Sequence, residues 1–185
     1  MEMKKRYCVV YFTIVIIILV MGPVGAHETF SEEKDYSVEA PFSISDSIEN
    51  AKAVYARLEP STDIDVYTFN VTKPVHLHAR AFVPLVPGLE QFLPSLAVVG
   101  PGLPAPGEKI PFPLPAGYGA VVIPNTPPGK KRPVFYEPFS GTEYYDAPAF
   151  DQKVSVTGTW YVYYWDPYGI GGDYVAILGF RERFY

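Results

Sequence analysis

The chain's three histidines, His27, His76 and His78, are its whole supply of imidazole, and their placement suggests metal chemistry. His27 follows the small residues Val24-Gly25-Ala26 at the end of a basic-then-apolar leader, so cleavage after Ala26 would make it the first residue of a mature chain. Its free amine, with a pKa of about 7.7–8.0, and its own ring nitrogen would chelate together. One more imidazole, from His76 or His78, completes a nitrogen-rich planar set suited to Cu(II). The plainer alternative makes His76 and His78 solvated residues of an edge strand and His27 part of a frayed terminus.

Oxygen ligands have their own candidates. Asp63-Ile64-Asp65, with Asp46 and Glu49 nearby in sequence, offers hard donors to Ca²⁺. That ion takes about six to eight oxygens, and this cluster supplies too few by itself. Thr62 and Asp63 equally suit a turn leading into a strand. Glu137, Glu143 and Asp146 are separated carboxylates of the kind that act as acid and base in glycoside cleavage, a spacing shared by ordinary solvated loop charges. Nucleophile readings fail: there is no Gly-x-Ser-x-Gly, and the lone Cys8 lies inside the leader. Lys130-Lys131-Arg132 reads as a solvated loop tip, too short to define a polyanion site.

Aromatic residues make up 16% of the chain and include 15 tyrosines. Tyrosine joins an apolar body to a polar tip and suits stacking on sugar rings or a partner protein. Tyr144, Tyr145, Tyr161, Tyr163, Trp165 and Tyr168 are the candidates for an exposed contact patch, against the alternative that the same rings build the core. Asn70-Val71-Thr72 fits the N-glycosylation acceptor pattern, with Asn70 as the modified residue.

The leader sets the context for all of these. Lys4, Lys5 and Arg6 precede a largely apolar run from Tyr7 to Met21, and a processing region follows, the three parts of a secretory signal. Gly22, Pro23 and Gly25 favour cleavage over an uncleaved anchor, which would be the chain's only route to a membrane. Residues 27–185 carry 12 basic and 19 acidic side chains, a net charge of −7 with histidines neutral. Nucleic acid is therefore excluded as an expected partner. Without a cysteine beyond the leader there is no disulfide, so the fold must hold by packing alone.

Twenty prolines and 15 glycines separate short β-branched and aromatic runs, the texture of an all-β domain. Strands are expected at 36–43, 53–58, 65–71, 75–83, 95–99, 119–123, 154–156, 159–165 and 174–178, with a helical turn at 45–50. From Val75 to Ala81 every odd residue is apolar and every even one polar, so the odd set faces the core and His76, His78 and Arg80 share the outer face. Trp160, Val162 and Tyr164 line one side of a strand, and Tyr161, Tyr163 and Trp165 the other. Both faces are aromatic, which leaves one of them as a candidate binding surface. Prolines across 100–115 and 124–148 predict two long, semi-rigid loops.

The segment Leu58-Glu-Pro-Ser-Thr-Asp-Ile-Asp-Val-Tyr-Thr-Phe69, with Gly158-Thr159-Trp160-Tyr161 and Gly172-Asp173-Tyr174, resembles pre-peptidase C-terminal domains. These are small jelly-roll sandwiches attached to secreted hydrolases. A closer resemblance is to a set of uncharacterised exported proteins. It rests on Ala26-His27, Phe92-Leu93-Pro94-Ser95-Leu96, Gly100-Pro101-Gly102, Glu137-Pro138-Phe139 and Glu182-Arg183-Phe184. The resemblance implies a fold and brings no established activity to carry over. The amino-terminal histidine also resembles the copper brace of exported sandwich proteins such as copper carriers and polysaccharide monooxygenases.

The expectation is an all-β chain: a signal segment at 1–26, an arm at 27–35 and a single antiparallel, jelly-roll-like β-sandwich at 36–185. Its expected role is that of a secreted or cell-surface binding module without catalysis of its own, in contact with an extracellular protein or glycan. The alternative is a Cu(II)-binding protein built on His27.

Overall fold

The structure is a computed structural model that describes residues 28–138 and 140–181. The signal segment, His27, Phe139 and Glu182-Arg183-Phe184 lie outside the described residues. Among those described, twelve strands form two sheets, with no helix. No helix there is long and apolar enough to cross a membrane.

The first sheet runs in the order β1 (Glu28–Ser31), β3 (Lys52–Leu58), β12 (Gly172–Leu178), β5 (Val75–Pro84), β9 (Thr142–Asp146), β8 (Val134–Glu137), and β10 (Phe150–Val154) also pairs with β5. The second sheet has the order β2 (Phe42–Ser43), β4 (Ile64–Val71), β11 (Gly158–Trp165), β6 (Ser95–Pro101), β7 (Tyr118–Ile123).

Alternation explains how the layers meet. Val54, Ala56 and Leu58 of β3, Leu77, Ala79 and Ala81 of β5 and Tyr174, Ala176 and Leu178 of β12 form one inner face. Tyr67, Phe69 and Val71 of β4 with Trp160, Val162 and Tyr164 of β11 form the other. Each is an every-second-residue set, so one register choice per strand buries it against the facing sheet. Full burial of such side chains contributes roughly 1.5–3 kcal/mol apiece. The β-sandwich expectation holds, and the odd residues of β5 face inward as read.

The expected strands at 53–58, 65–71, 75–83, 95–99, 119–123, 159–165 and 174–178 are present with ends shifted by one or two residues. Four expectations need correction. The sheets are mixed, because β1 lies parallel to β3 and β2 parallel to β4. The strand expected over 36–43 contracts to β2, since the chain there crosses from the first sheet's edge to the second's. The strand expected at 154–156 is instead β10, whose exposed Asp151-Gln152-Lys153 carries no apolar alternation. Residues 45–50 make turns, with Asn50 N–H donating to the Ser47 carbonyl at 3.1 Å.

The two proline-rich loops also divide. The second contains the hairpin of β8 and β9. The first lies as a strap over the outer face of the second sheet, where Ile110, Phe112 and Leu114 cover Val66, Ala97, Val99, Tyr163 and Trp165. Gly119 permits this approach: a Cβ there would stand 2.1 Å from the carbonyl oxygens of Leu103 and Pro104. The adjacent Ala120 N–H donates to the Pro104 carbonyl at 2.9 Å.

Candidate functional site

The inward row of β4 is Asp65, Tyr67, Phe69 and Val71, all buried, and its first member is a carboxylate. Asp65 is 0% exposed. Its Oδ2 accepts the Tyr174 hydroxyl at 2.7 Å, and the Tyr67 hydroxyl lies 3.3 Å from that of Tyr174. Its Oδ1 has no hydrogen-bond donor. A buried acceptor left this way is costly unless something positive or protic reaches it.

The chain between β1 and β2 brings further carboxylates to this point. Glu32 N–H donates to the Tyr55 carbonyl at 2.8 Å, Arg57 N–H donates to Glu32 Oε2 at 2.9 Å, and Val66 N–H donates to the Tyr36 carbonyl at 2.6 Å. An aromatic clasp holds the crossing: Tyr36 packs on Phe42 at 4.9 Å and on Tyr67 at 5.9 Å between ring centres. Carboxylate oxygens of Glu32, Asp35 and Asp65 consequently lie within 4.8 Å of one another.

An open cleft of about 650 Å³ adjoins them, lined also by Glu33, Glu39, Glu59 and Asp63, with Lys34 and Arg57 as its cations. Burial pushes the Asp65 carboxyl up to about 8 against the pull of Tyr174, and the charges of Glu32 and Asp63 add to the rise. Burial raises Glu32 despite its hydrogen bond from the Arg57 backbone. Asp35 is raised by burial, then by Asp63 and Glu39. All three groups resist ionisation in the metal-free state, so a cation would relieve them together.

The sequence reading had Asp65 within its calcium candidates but the wrong companions. Asp46 pairs with buried Lys52 at 2.8 Å. Glu49 reaches Arg181 at 3.6 Å and accepts the His76 N–H. Asp63 closes the turn before β4, accepting from Glu59 N–H at 2.6 Å and Ile64 N–H at 2.8 Å, as its turn reading expects. Glu32 and Asp35 were missed, although the acidic run Glu32-Glu33-Lys34-Asp35 immediately before an apolar Tyr36 was a visible signal.

His76 and His78 do share the outer face of β5, with Arg80. His27 lies outside the described residues, so the proposed histidine triad is untested. The carboxylate that meets the pair is Asp151 of β10: His76 Nε2 contacts Asp151 Oδ1, and His78 Nδ1 lies 3.6 Å from the same oxygen. Burial lowers the His78 pKa, with the Arg80 charge adding. β5 is an interior strand rather than the edge strand of the plainer alternative.

The aromatic candidates separate sharply. Tyr163 is 2% exposed and Trp165 7%, both under the strap, where Phe112 stacks on Tyr163 with ring centres 4.0 Å apart. Tyr144 is buried beside Phe82. Those three rings are thus covered rather than presented: the chain supplies its own lid over Tyr163 and Trp165, and Tyr144 packs with Phe82, Val175 and Ile177 on the first sheet. Tyr161 is half-buried beside Tyr118. Tyr145 is half-buried with the Arg132 guanidinium 3.7 Å from its ring centre. Tyr168 is 54% exposed. Exposed aromatics missed by the sequence reading are Tyr55, Phe135 and Tyr136 on the first sheet.

Among the remaining candidates, Asn70 is exposed, with the Thr159 hydroxyl donating to its side-chain oxygen at 3.1 Å. Asp146 is held by Arg80 at 2.9 Å and Glu137 accepts the Ser140 N–H at 2.6 Å, so both acids serve local structure. Glu143 is exposed and stands opposite Tyr136 in the hairpin. Arg132 departs from the loop-tip reading: it is buried and donates to the carbonyls of Leu89, Glu90 and Phe92.

No protein-family model matches the chain, and no curated protein matches it. Among solved structures, the chain is similar to the pre-peptidase C-terminal domain of a collagenase from Bacillus anthracis, at 12% identity and a TM-score of 0.37, over 83% of this chain and 95% of that one.

Proposed function

We propose that this chain is a non-catalytic binding module of the extracytoplasmic space whose crossing segment is clipped to the sandwich by a hard divalent cation, Ca²⁺ in class. The observation that carries the reading is the fully buried Asp65 carboxyl, whose Oδ1 is met by no N–H or hydroxyl and has for company only acids, the Glu32 carboxyl that hydrogen-bonds to it and that of Asp35, all within 4.8 Å. Oxygen-only donors with several negative charges suit Ca²⁺ over softer ions. Bare carboxylates at this spacing repel, while one divalent ion turns the repulsion into attraction between the crossing segment and β4. Contact with an extracellular protein or glycan is assigned to the exposed rings Tyr55, Phe135 and Tyr136, since Tyr144, Tyr163 and Trp165 are covered.

The test is thermal unfolding of chelator-treated full-length protein during a Ca²⁺ titration. At a hundred times the dissociation constant, a site confined to the native state adds about 2.7 kcal/mol. The Glu32→Gln/Asp35→Asn double variant should lose most of that rise. An unchanged midpoint across the titration in the parent protein would remove the cation from the account.

A further inference from the structure

We propose that two copies of this chain associate edge to edge through β8, whose residues Val134–Glu137 pair antiparallel with the same strand of a second copy about a two-fold axis. Among the described residues β8 ends the first sheet and pairs only with β9. The Asp146 N–H donates to the Pro133 carbonyl, so in the alternating ladder Pro133, Phe135 and Glu137 turn their backbone groups towards β9. Val134 and Tyr136 therefore each point an N–H and a carbonyl away from the sheet. The N–H that Pro133 lacks falls on the covered side, where it costs the open edge nothing. Val134, Phe135 and Tyr136 are 49%, 40% and 56% exposed, and an apolar edge of this kind is a template for another strand.

The edge is complementary to itself. It runs from Lys130-Lys131 through Val134-Phe135-Tyr136 to Glu137, so an antiparallel copy sets the basic end of each strand beside the acidic end of the other. Lys130 and Lys131 are exposed, and neither forms an ion pair among the described residues. Residues 27–185 carry a net charge of −7, and a basic flank at this edge counters the repulsion that two such chains meet elsewhere. With the axis on Phe135, Val134 of each copy becomes the hydrogen-bonded partner of Tyr136 in the other, and every outward backbone group of both residues is paired. The two Phe135 residues then face each other at a non-hydrogen-bonded position, where Cα atoms are about 4.5 Å apart and side chains come closest. Phe135 already stacks on Phe82 with ring centres 5.2 Å apart, so the contact joins the aromatic rows of two outer faces. The same backbone groups suit any extended peptide, but the order of charges along β8 favours a copy of this chain.

The association needs no cation, so its test is independent of the acidic cleft: sedimentation velocity of the full-length protein in chelator over about 1–200 µM. The sedimenting mass should rise from one copy towards two across that range, and high salt should move the midpoint to higher concentration. Tyr136→Pro, which removes an outward donor, and Val134→Lys, which places a charge on the edge, should each raise the midpoint roughly tenfold or more. Circular dichroism of both variants should match the parent. In a Cys8→Ser background, Phe135→Cys should oxidise to a disulfide-linked dimer, its facing Cα atoms lying within disulfide reach, whereas Lys153→Cys on exposed β10 should not. A single-copy mass at every concentration, dimer formation unchanged by both edge variants, or equal cross-linking at the two cysteine positions would overturn the proposal.

Discussion

At Asp65 the alternation of β4 inserts a carboxylate into a row otherwise made of Tyr67, Phe69 and Val71. Its folded pKa of about 8 lies above the ~3.9 of an unfolded aspartate, so the folded state holds the proton more tightly. The associated stability is complete below about pH 4 and is lost as pH rises through about 8. Metal-free protein should therefore melt at progressively lower temperature between pH 5 and pH 8.5, and Asp65→Asn should flatten that slope while abolishing the Ca²⁺ response. A parallel slope in the variant would place the titrating group elsewhere. Lys52 presents the converse case, a buried ammonium held by Asp46 at 2.8 Å and by the carbonyls of Ser47 and Asn50 at 3.2 Å. Asp46→Ala should cost about 3 kcal/mol in urea unfolding, because it strands that charge.

The strap and the second sheet are mutually dependent elements. Phe112 stacks on Tyr163 and meets Trp165 edge-on at 5.6 Å, which covers a face that alternation alone would leave in water. Phe112→Ala should lower stability by about 3 kcal/mol and raise the fluorescence response of Trp165 to soluble quenchers. Gly119→Ala should loosen the same strap from its backbone side, seen as faster amide exchange at Ala120. Trp165→Ala should likewise cost about 3–5 kcal/mol. A Trp165 variant that kept its stability and lost only adhesion would restore the ring to the contact surface. The hairpin of β8 and β9 marks the limit of reading local signals: its Val134-Phe135-Tyr136 is a good strand sequence, but five prolines in residues 124–138 mask it.

For the molecule as a whole, the crossing between the two sheets is the segment whose attachment depends on charge. Aromatic packing of Tyr36 and Phe42 favours docking, while ionisation of the acids around it, costly because burial raises them, opposes it. Limited proteolysis should cut residues 32–41 faster in chelator than in Ca²⁺, with the sandwich strands protected equally in both. Equal cutting in the two conditions would show that packing alone holds the crossing.

Much of the architecture was legible locally. Period-two alternation over Val75–Ala81 assigns each side chain to the inner or outer face, and along Trp160–Trp165 it sorts the rings into two faces without saying which is inner, because successive Cβ atoms point to opposite sides of a pleated strand. By the same rule His76 and His78 had to stand together. What alternation cannot specify is the element that covers a face. Only the fold decides that Phe112 lies over Tyr163, that Asp151 meets the histidines and that Glu32 and Asp35 reach Asp65. Each of these meetings joins residues far apart in sequence, set by strand order, register and loop path, which no local pattern of side chains encodes.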